Sequence, residues 1–164
     1  MRLKICLGFL VAMALAATAA AQTKISGTIV CGKPDQQQAF EVGDLPGHML
    51  AVSQGKCTWS KPMEIGGTQT KEEQVTLTAD NHANKGNSRG YVVVTMASGD
   101  KTFVRVQGTT TLKDGTVDTS EGKWSYTGGT GNLKGIKGSG TYKGKGGPEG
   151  TTVEVEGEYQ LPTK

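Results

Sequence analysis

Short runs in which apolar and polar residues alternate, separated by turn residues, recur along the chain, and a period of two marks strands with one buried face. The pattern predicts strands near 24–31, 38–42, 48–59, 74–79, 89–97, 101–111, 121–127, 136–145 and 151–161. Beyond the N-terminal segment no window repeats apolar residues at helical spacing, and Gly, Thr, Val and Lys dominate. Such a series of short strands in one domain implies a barrel or a sandwich. The architecture expected is all-β, a small antiparallel barrel of eight or nine strands.

The last two strands carry a register. Val153, Val155, Gly157, Tyr159 and Leu161 alternate with Thr152, Glu154, Glu156, Glu158 and Gln160, an apolar face set against a polar one. If the turn between Gly146 and Thr151 closes a hairpin, Lys143 stands opposite Glu154 and Thr141 opposite Glu156 on the outside. Tyr142 then meets Val155 inside, and Gly138 lies beside Tyr159, whose ring can cover the bare backbone. Ser98-Gly99-Asp100 marks another tight turn, between Tyr91–Met96 and Lys101–Thr110. The run Tyr91-Val92-Val93-Val94-Thr95-Met96 is apolar on both faces, so its outer face is expected beneath either a second subunit or the segment Lys61–Glu73. Glycines 138, 140, 144 and 157 fall on the inner face, where they serve wall curvature or leave room for a ligand.

Arg2 and Lys4, the apolar run Ile5 to Ala17 and the small residues Ala19-Ala20-Ala21 have the form of an export signal cut after about Ala21. The run is shorter than the roughly 18 to 20 residues that span a bilayer. The expected organisation is a signal peptide over 1–21 and one barrel domain over 22–164, exported to a periplasm or secreted. Of 18 basic residues Arg2 and Lys4 leave with the signal while all 15 acidic ones stay, so the mature chain carries +1. That balance gives no global attraction to nucleic acid or membrane. Cys6 goes with the signal. Cys31 and Cys57 remain, and an isolated pair in an oxidising compartment is most simply a disulfide. The alternative is a metal site of both sulfurs with His48 or His82, a spacing that matches no zinc pattern. Neither a metal nor a cofactor is expected.

Candidate chemistry is sparse. Gly27 to Lys33 has the spacing of a phosphate loop, but Pro34 stands where Ser or Thr must hold magnesium, and Gly129-x-Gly131 lacks the third glycine of a dinucleotide turn. There is no Gly-x-Ser-x-Gly elbow. His82 falls in the polar stretch 80–87, read as an exposed loop, and His48 beside Met49 lacks the further ligands of a copper site. Glu154, Glu156 and Glu158 project to solvent. Lysines 123, 134, 137, 143 and 145 near Trp124, Tyr126 and Tyr142 form a basic stretch of the kind that meets an anionic polymer, though pairing with the glutamates explains it more simply. No catalytic residue is assigned.

The run Trp124-Ser125-Tyr126-Thr127-Gly128-Gly129-Thr130-Gly131-Asn132-Leu133-Lys134-Gly135, followed by Gly138-Ser139-Gly140-Thr141-Tyr142, resembles the glycine-rich strand-turn-strand segment of the allene oxide cyclase and dirigent barrels. It is also similar to small exported bacterial proteins of uncharacterised role, a likeness extending over Lys56-Cys57-Thr58-Trp59 and Arg89-Gly90-Tyr91. The resemblance implies an eight-stranded antiparallel barrel, trimeric, with a cavity suited to an apolar small molecule and no need of a cofactor. Members of that family cyclise an unstable epoxide or steer the coupling of bound radicals. The shared glycines are structural, so no activity is carried over with them. The function expected first is binding of a small apolar or aromatic compound, with Trp124, Tyr126, Tyr142, Val153, Val155 and Tyr159 lining the site. The alternatives are a cofactor-free isomerase or cyclase working by positioning, and an interaction module with a filled core and an apolar outer patch.

Overall fold

In the computed structural model, which describes residues 22–163, the alternating runs form ten strands. They are β1 (Thr23–Cys31), β2 (Gln36–Glu41), β3 (His48–Trp59), β4 (Glu64–Ile65), β5 (Thr68–His82), β6 (Lys85–Met96), β7 (Lys101–Lys113), β8 (Thr116–Gly129), β9 (Lys137–Gly147) and β10 (Gly150–Gln160). The export signal expected over 1–21, and Cys6 with it, lies outside the described residues. Among the described residues there is one 3-10 turn, Gly131–Leu133, and no α-helix; no helix there is long and apolar enough to cross a membrane.

Eight strands close an antiparallel barrel in the order β3, β1, β10, β9, β8, β7, β6, β5 and back to β3. The two extra strands are β2, which continues the line of β1 along β3, and the short β4 beside β5. Following the register once round from Ile29 leads through Val153, Gly144, Ser120, Thr110, Gly86 and Asn81 to Met49. Ile29 itself pairs with Trp59, ten residues beyond Met49, so the strands coil steeply about the axis. Closure is narrow. Strands β1 and β3 share three pairs, Ile29 with Trp59, Val30 with Thr58 and Cys31 with Cys57, and the last is joined by a disulfide.

The period of two sorts the side chains. Ile25, Ile29, Val94, Val104, Trp124, Val155 and Tyr159 point inward and are buried, while Leu133 and Ile136 from the β8–β9 connection pack with Ile65 of β4 in the same core. Glu154, Glu156 and Glu158 are exposed, and the β9–β10 register sets Lys143 opposite Glu154, Thr141 opposite Glu156, Tyr142 opposite Val155 and Gly138 opposite Tyr159, as the alternation predicts. The inner glycines serve close approach. A Cβ on Gly140 would strike the Glu156 carbonyl and come within 2.7 Å of Trp124 Nε1, so the wall folds tightly there and the indole lies against bare backbone.

Two expectations change. The stretch 80–87 is no loop: β5 and β6 run on to a tight turn at Ala83 and Asn84, and His82 ends β5. The segment Lys61–Glu73 does not cover the outer face of the apolar run at 91–96; it lies alongside, with Thr70 opposite Met96 and Glu73 opposite Val94. Tyr91 is therefore left bare on the outer face, 60% exposed. An irregularity between Thr70 and Glu72 breaks the alternation, which is why this half of β5 does not read as a strand.

Candidate functional site

One carboxyl faces the interior. On β5 the odd-numbered residues Val75 and Leu77 point inward, and the same parity carried back two places turns Glu73 into the core, 4% exposed. Its Oε1 accepts a 2.7 Å hydrogen bond from Trp59 Nε1 at the end of β3. A neutral indole is a thin replacement for a carboxylate's hydration, so burial pushes the group up to about 7, with the Trp59 bond pulling the other way.

Trp59 and Tyr126 lie near that carboxyl, within a core that holds further aromatic side chains. Burial holds the Tyr126 hydroxyl above the usual phenol range, and the charges of Glu73 and Tyr159 add to the effect. Tyr159 Oη accepts the Gly66 N–H at 3.2 Å. The Trp59 ring lies over Gly27, where a Cβ would come to 2.7 Å. Trp124 meets Tyr126 edge-on with centroids 5.2 Å apart, and donates its Nε1 to the Glu156 carbonyl at 3.1 Å. The arrangement places a proton-exchanging group of near-neutral pKa in an apolar, aromatic interior.

The six positions expected to line a ligand share this interior. Trp124, Val155 and Tyr159 belong to the buried core, and Tyr126, Tyr142 and Val153 are half-buried against it. From β9 the Tyr142 ring crosses Gly122 and Gly108 to hydrogen-bond Ser88 on β6; burial raises its phenol and the Ser88 bond opposes that. Glu73 and Trp59 are the members that sequence reasoning missed. The signal lay in extending the alternation of β5 backward from Val75.

A hollow of about 1020 Å³ spans six strands from β3 to β9, where the inward-facing Ala51, Ala79, Ser88, Gly108, Gly122 and Tyr142 alternate with exposed neighbours such as Leu50, Asp80 and Arg89; Tyr142 is the one expected lining residue on it. A second, about 610 Å³, sits at the β9–β10 turn beside Val30 and Cys31. Lys143 stands between Glu121 and Glu154 in the register, which accounts for part of the basic stretch by cross-strand pairing.

Among the described residues no three His, Cys, Asp or Glu side chains converge as a metal site. The two sulfurs are bonded to each other. His48 is engaged by carboxylates, with Nδ1 2.6 Å from Asp44 Oδ1 and Nε2 2.8 Å from Asp80 Oδ1, and the His82 ring lies edge-on at 6.2 Å. The Asp80 bond, then the Asp44 bond, raises the His48 imidazole above its usual value.

Neither the family models nor the curated proteins compared with the chain give a match. Among solved structures the barrel is similar to a protein of unknown function from the DUF3224 family of Shewanella oneidensis MR-1. The two align with a TM-score of 0.52 at 13% identity, over 87% of this chain and 100% of the other. The likeness is one of fold.

Proposed function

We propose that the protein is an exported barrel that binds a small, largely apolar or aromatic molecule against the interior around Trp59, Glu73 and Tyr126. The observation that carries this reading is the buried carboxyl of Glu73, held by the indole of Trp59 and pushed up to about 7. Burying an ionisable group against a single neutral donor costs stability, so its presence there is better explained by a ligand than by folding. The aromatic side chains of the same core supply the apolar contact such a molecule needs, and one carboxyl fixes its orientation. Export is supported by the signal-like N-terminus and by the Cys31–Cys57 disulfide, which suits an oxidising compartment. The resemblance to allene oxide cyclase and dirigent barrels adds the same ligand class.

The test is titration of the purified protein with lipophilic and aromatic probes, followed by Trp59 and Trp124 fluorescence. A saturable change weakened in Glu73→Gln supports the reading. No binding by any probe, or binding indifferent to Glu73, overturns it.

A second reading, cofactor-free isomerisation or cyclisation, is favoured by the pKa of Glu73, which lets it both accept and return a proton near neutrality. Incorporation of solvent deuterium into a bound probe, lost in Glu73→Gln, supports that reading. Unchanged probe counts against it.

A further inference from the structure

The buried polar side chains among the described residues are Thr70, Glu73 and Thr102, and none of them is basic. Thr70 is satisfied, its Oγ1 accepting the Met63 N–H at 2.9 Å. The other two are not. Glu73 receives one hydrogen bond, from the neutral Trp59 Nε1, and no Lys, Arg or His among the described residues pairs with it. At 2.7 Å that bond has the length of one made to a charged acceptor. Thr102 Oγ1 is fully buried without any partner, which is rare for a hydroxyl in a folded protein. Glu73 pairs with Val94 on β6, and Val94 with Thr102 on β7. Carboxyl and hydroxyl therefore enter the interior at one level, two strands and about 10 Å apart at the wall.

We propose that the ligand is an aromatic amine bound as its cation, with the ammonium group on Glu73 and a hydroxyl at its far end on Thr102. The assignment rests on the reading of Glu73 as part of a binding site and names the chemistry that completes it. A buried carboxylate lacks a positive charge, which the core does not supply and a protonated amine does. The rings of Trp59 and Tyr126 lie near the carboxyl, and an aromatic face attracts a cation but gains nothing comparable from a neutral carbonyl. An anionic ligand would set like charge against Glu73 with no buried basic side chain to offset it. Tyr126 and, near it, Tyr159 are the titratable groups around the carboxyl, and neither carries positive charge. With its folded value at about 7 the carboxyl is partly protonated near neutrality, so seating a cation there drives the proton off.

Isothermal titration of the purified full chain tests this with tyramine and three analogues: 2-phenylethylamine, which lacks the hydroxyl, tyrosol, with a neutral alcohol for the ammonium, and 4-hydroxyphenylacetate, an anion. Tyramine binds about tenfold or more tighter than tyrosol, the margin of a hydrogen bond to a charged group, and 4-hydroxyphenylacetate binds weakest. Tyramine also exceeds 2-phenylethylamine by about threefold or more. Its binding near neutral pH releases protons, seen as a heat that varies with the ionisation enthalpy of the buffer, and tyrosol binding does not. In Glu73→Gln the gap between tyramine and tyrosol closes to within about threefold and the proton release is lost. In Thr102→Val the preference for tyramine over 2-phenylethylamine is lost. Tyrosol binding as tightly as tyramine, with both weakened in Glu73→Gln, overturns the amine and leaves the binding site standing. A preference over tyrosol that survives Glu73→Gln overturns the proposal too, as does one over 2-phenylethylamine that survives Thr102→Val. No binding by any probe, or binding indifferent to Glu73, overturns the reading of the site itself.

Discussion

Trp59 at the end of β3 and Glu73 on the neighbouring β5 are joined by one 2.7 Å hydrogen bond, an indole N–H on a buried carboxyl. The bond holds a titratable group where water is scarce, and its consequences are measurable without knowing any ligand.

Stability falls as pH rises through the titration of Glu73. The ordinary value is 4.5 and the folded value about 7, so below 4.5 the carboxyl is protonated in both states and costs nothing extra. Between the two values the unfolded chain releases its proton first and is favoured, and above about 7 the fold carries a buried charge. The window is worth about 3 kcal/mol. Urea unfolding across it shows the decline in the wild type. Glu73→Gln, which still accepts from Trp59, loses most of the slope and is the more stable of the two at alkaline pH.

Gly140 tolerates no side chain. A methyl there drives into the Glu156 carbonyl and within 2.7 Å of Trp124 Nε1, whereas a Cβ on Gly32 meets nothing within 4 Å. Gly140→Ala lowers unfolding stability by about 1–3 kcal/mol or more and shifts tryptophan emission. Gly32→Ala stays within about 0.5 kcal/mol of wild type.

His48 titrates above its usual value. A neutral imidazole can donate to only one of Asp44 and Asp80, so the doubly bonded arrangement belongs to the cation. Its contribution is present below 6.5 and is lost as pH rises through the raised folded value. NMR titration of the two histidines locates His48 above 6.5, and Asp80→Asn, which removes the largest cause, brings it down.

Reduction loosens the seam before the rest of the wall. The Cys31–Cys57 bond closes a separation of 26 residues and sits on a contact of three pairs. Replacing both cysteines by serine costs about 3 kcal/mol in the chain-entropy account. Hydrogen exchange then rises first in residues 29–31 and 57–59, and a uniform rise over all strands would contradict this order.

Much of the wall was legible because it obeys a single rule. The alternation from Thr152 to Leu161 gave the face and, with Lys143 and Tyr142, the register of the last hairpin. The Asp114-Gly115 turn, with positive φ at both residues, is a hairpin signal of the same local kind that the expected strands at 101–111 and 121–127 passed over. Long-range closure was not legible, because nothing in the pattern of β3 says that its edge is divided between β1 and β2. Glu73 was hidden for a local reason. The polar run Lys71-Glu72-Glu73-Gln74 reads as solvated, and the irregularity beside it disguises the one member that points inward. Alternation placed Tyr142 and Tyr159 on the inner face, but their packing onto glycine backbone depends on which strands neighbour one another.

Strand β1 is zipped along its whole length to β10, with Thr23 facing Tyr159 and Cys31 facing Thr151. The first strand of the barrel thus has its main partner in the last, and no shorter run of the wall can complete the cylinder. Closure waits until β10 has been made, so the seam is a late and long-range event in folding.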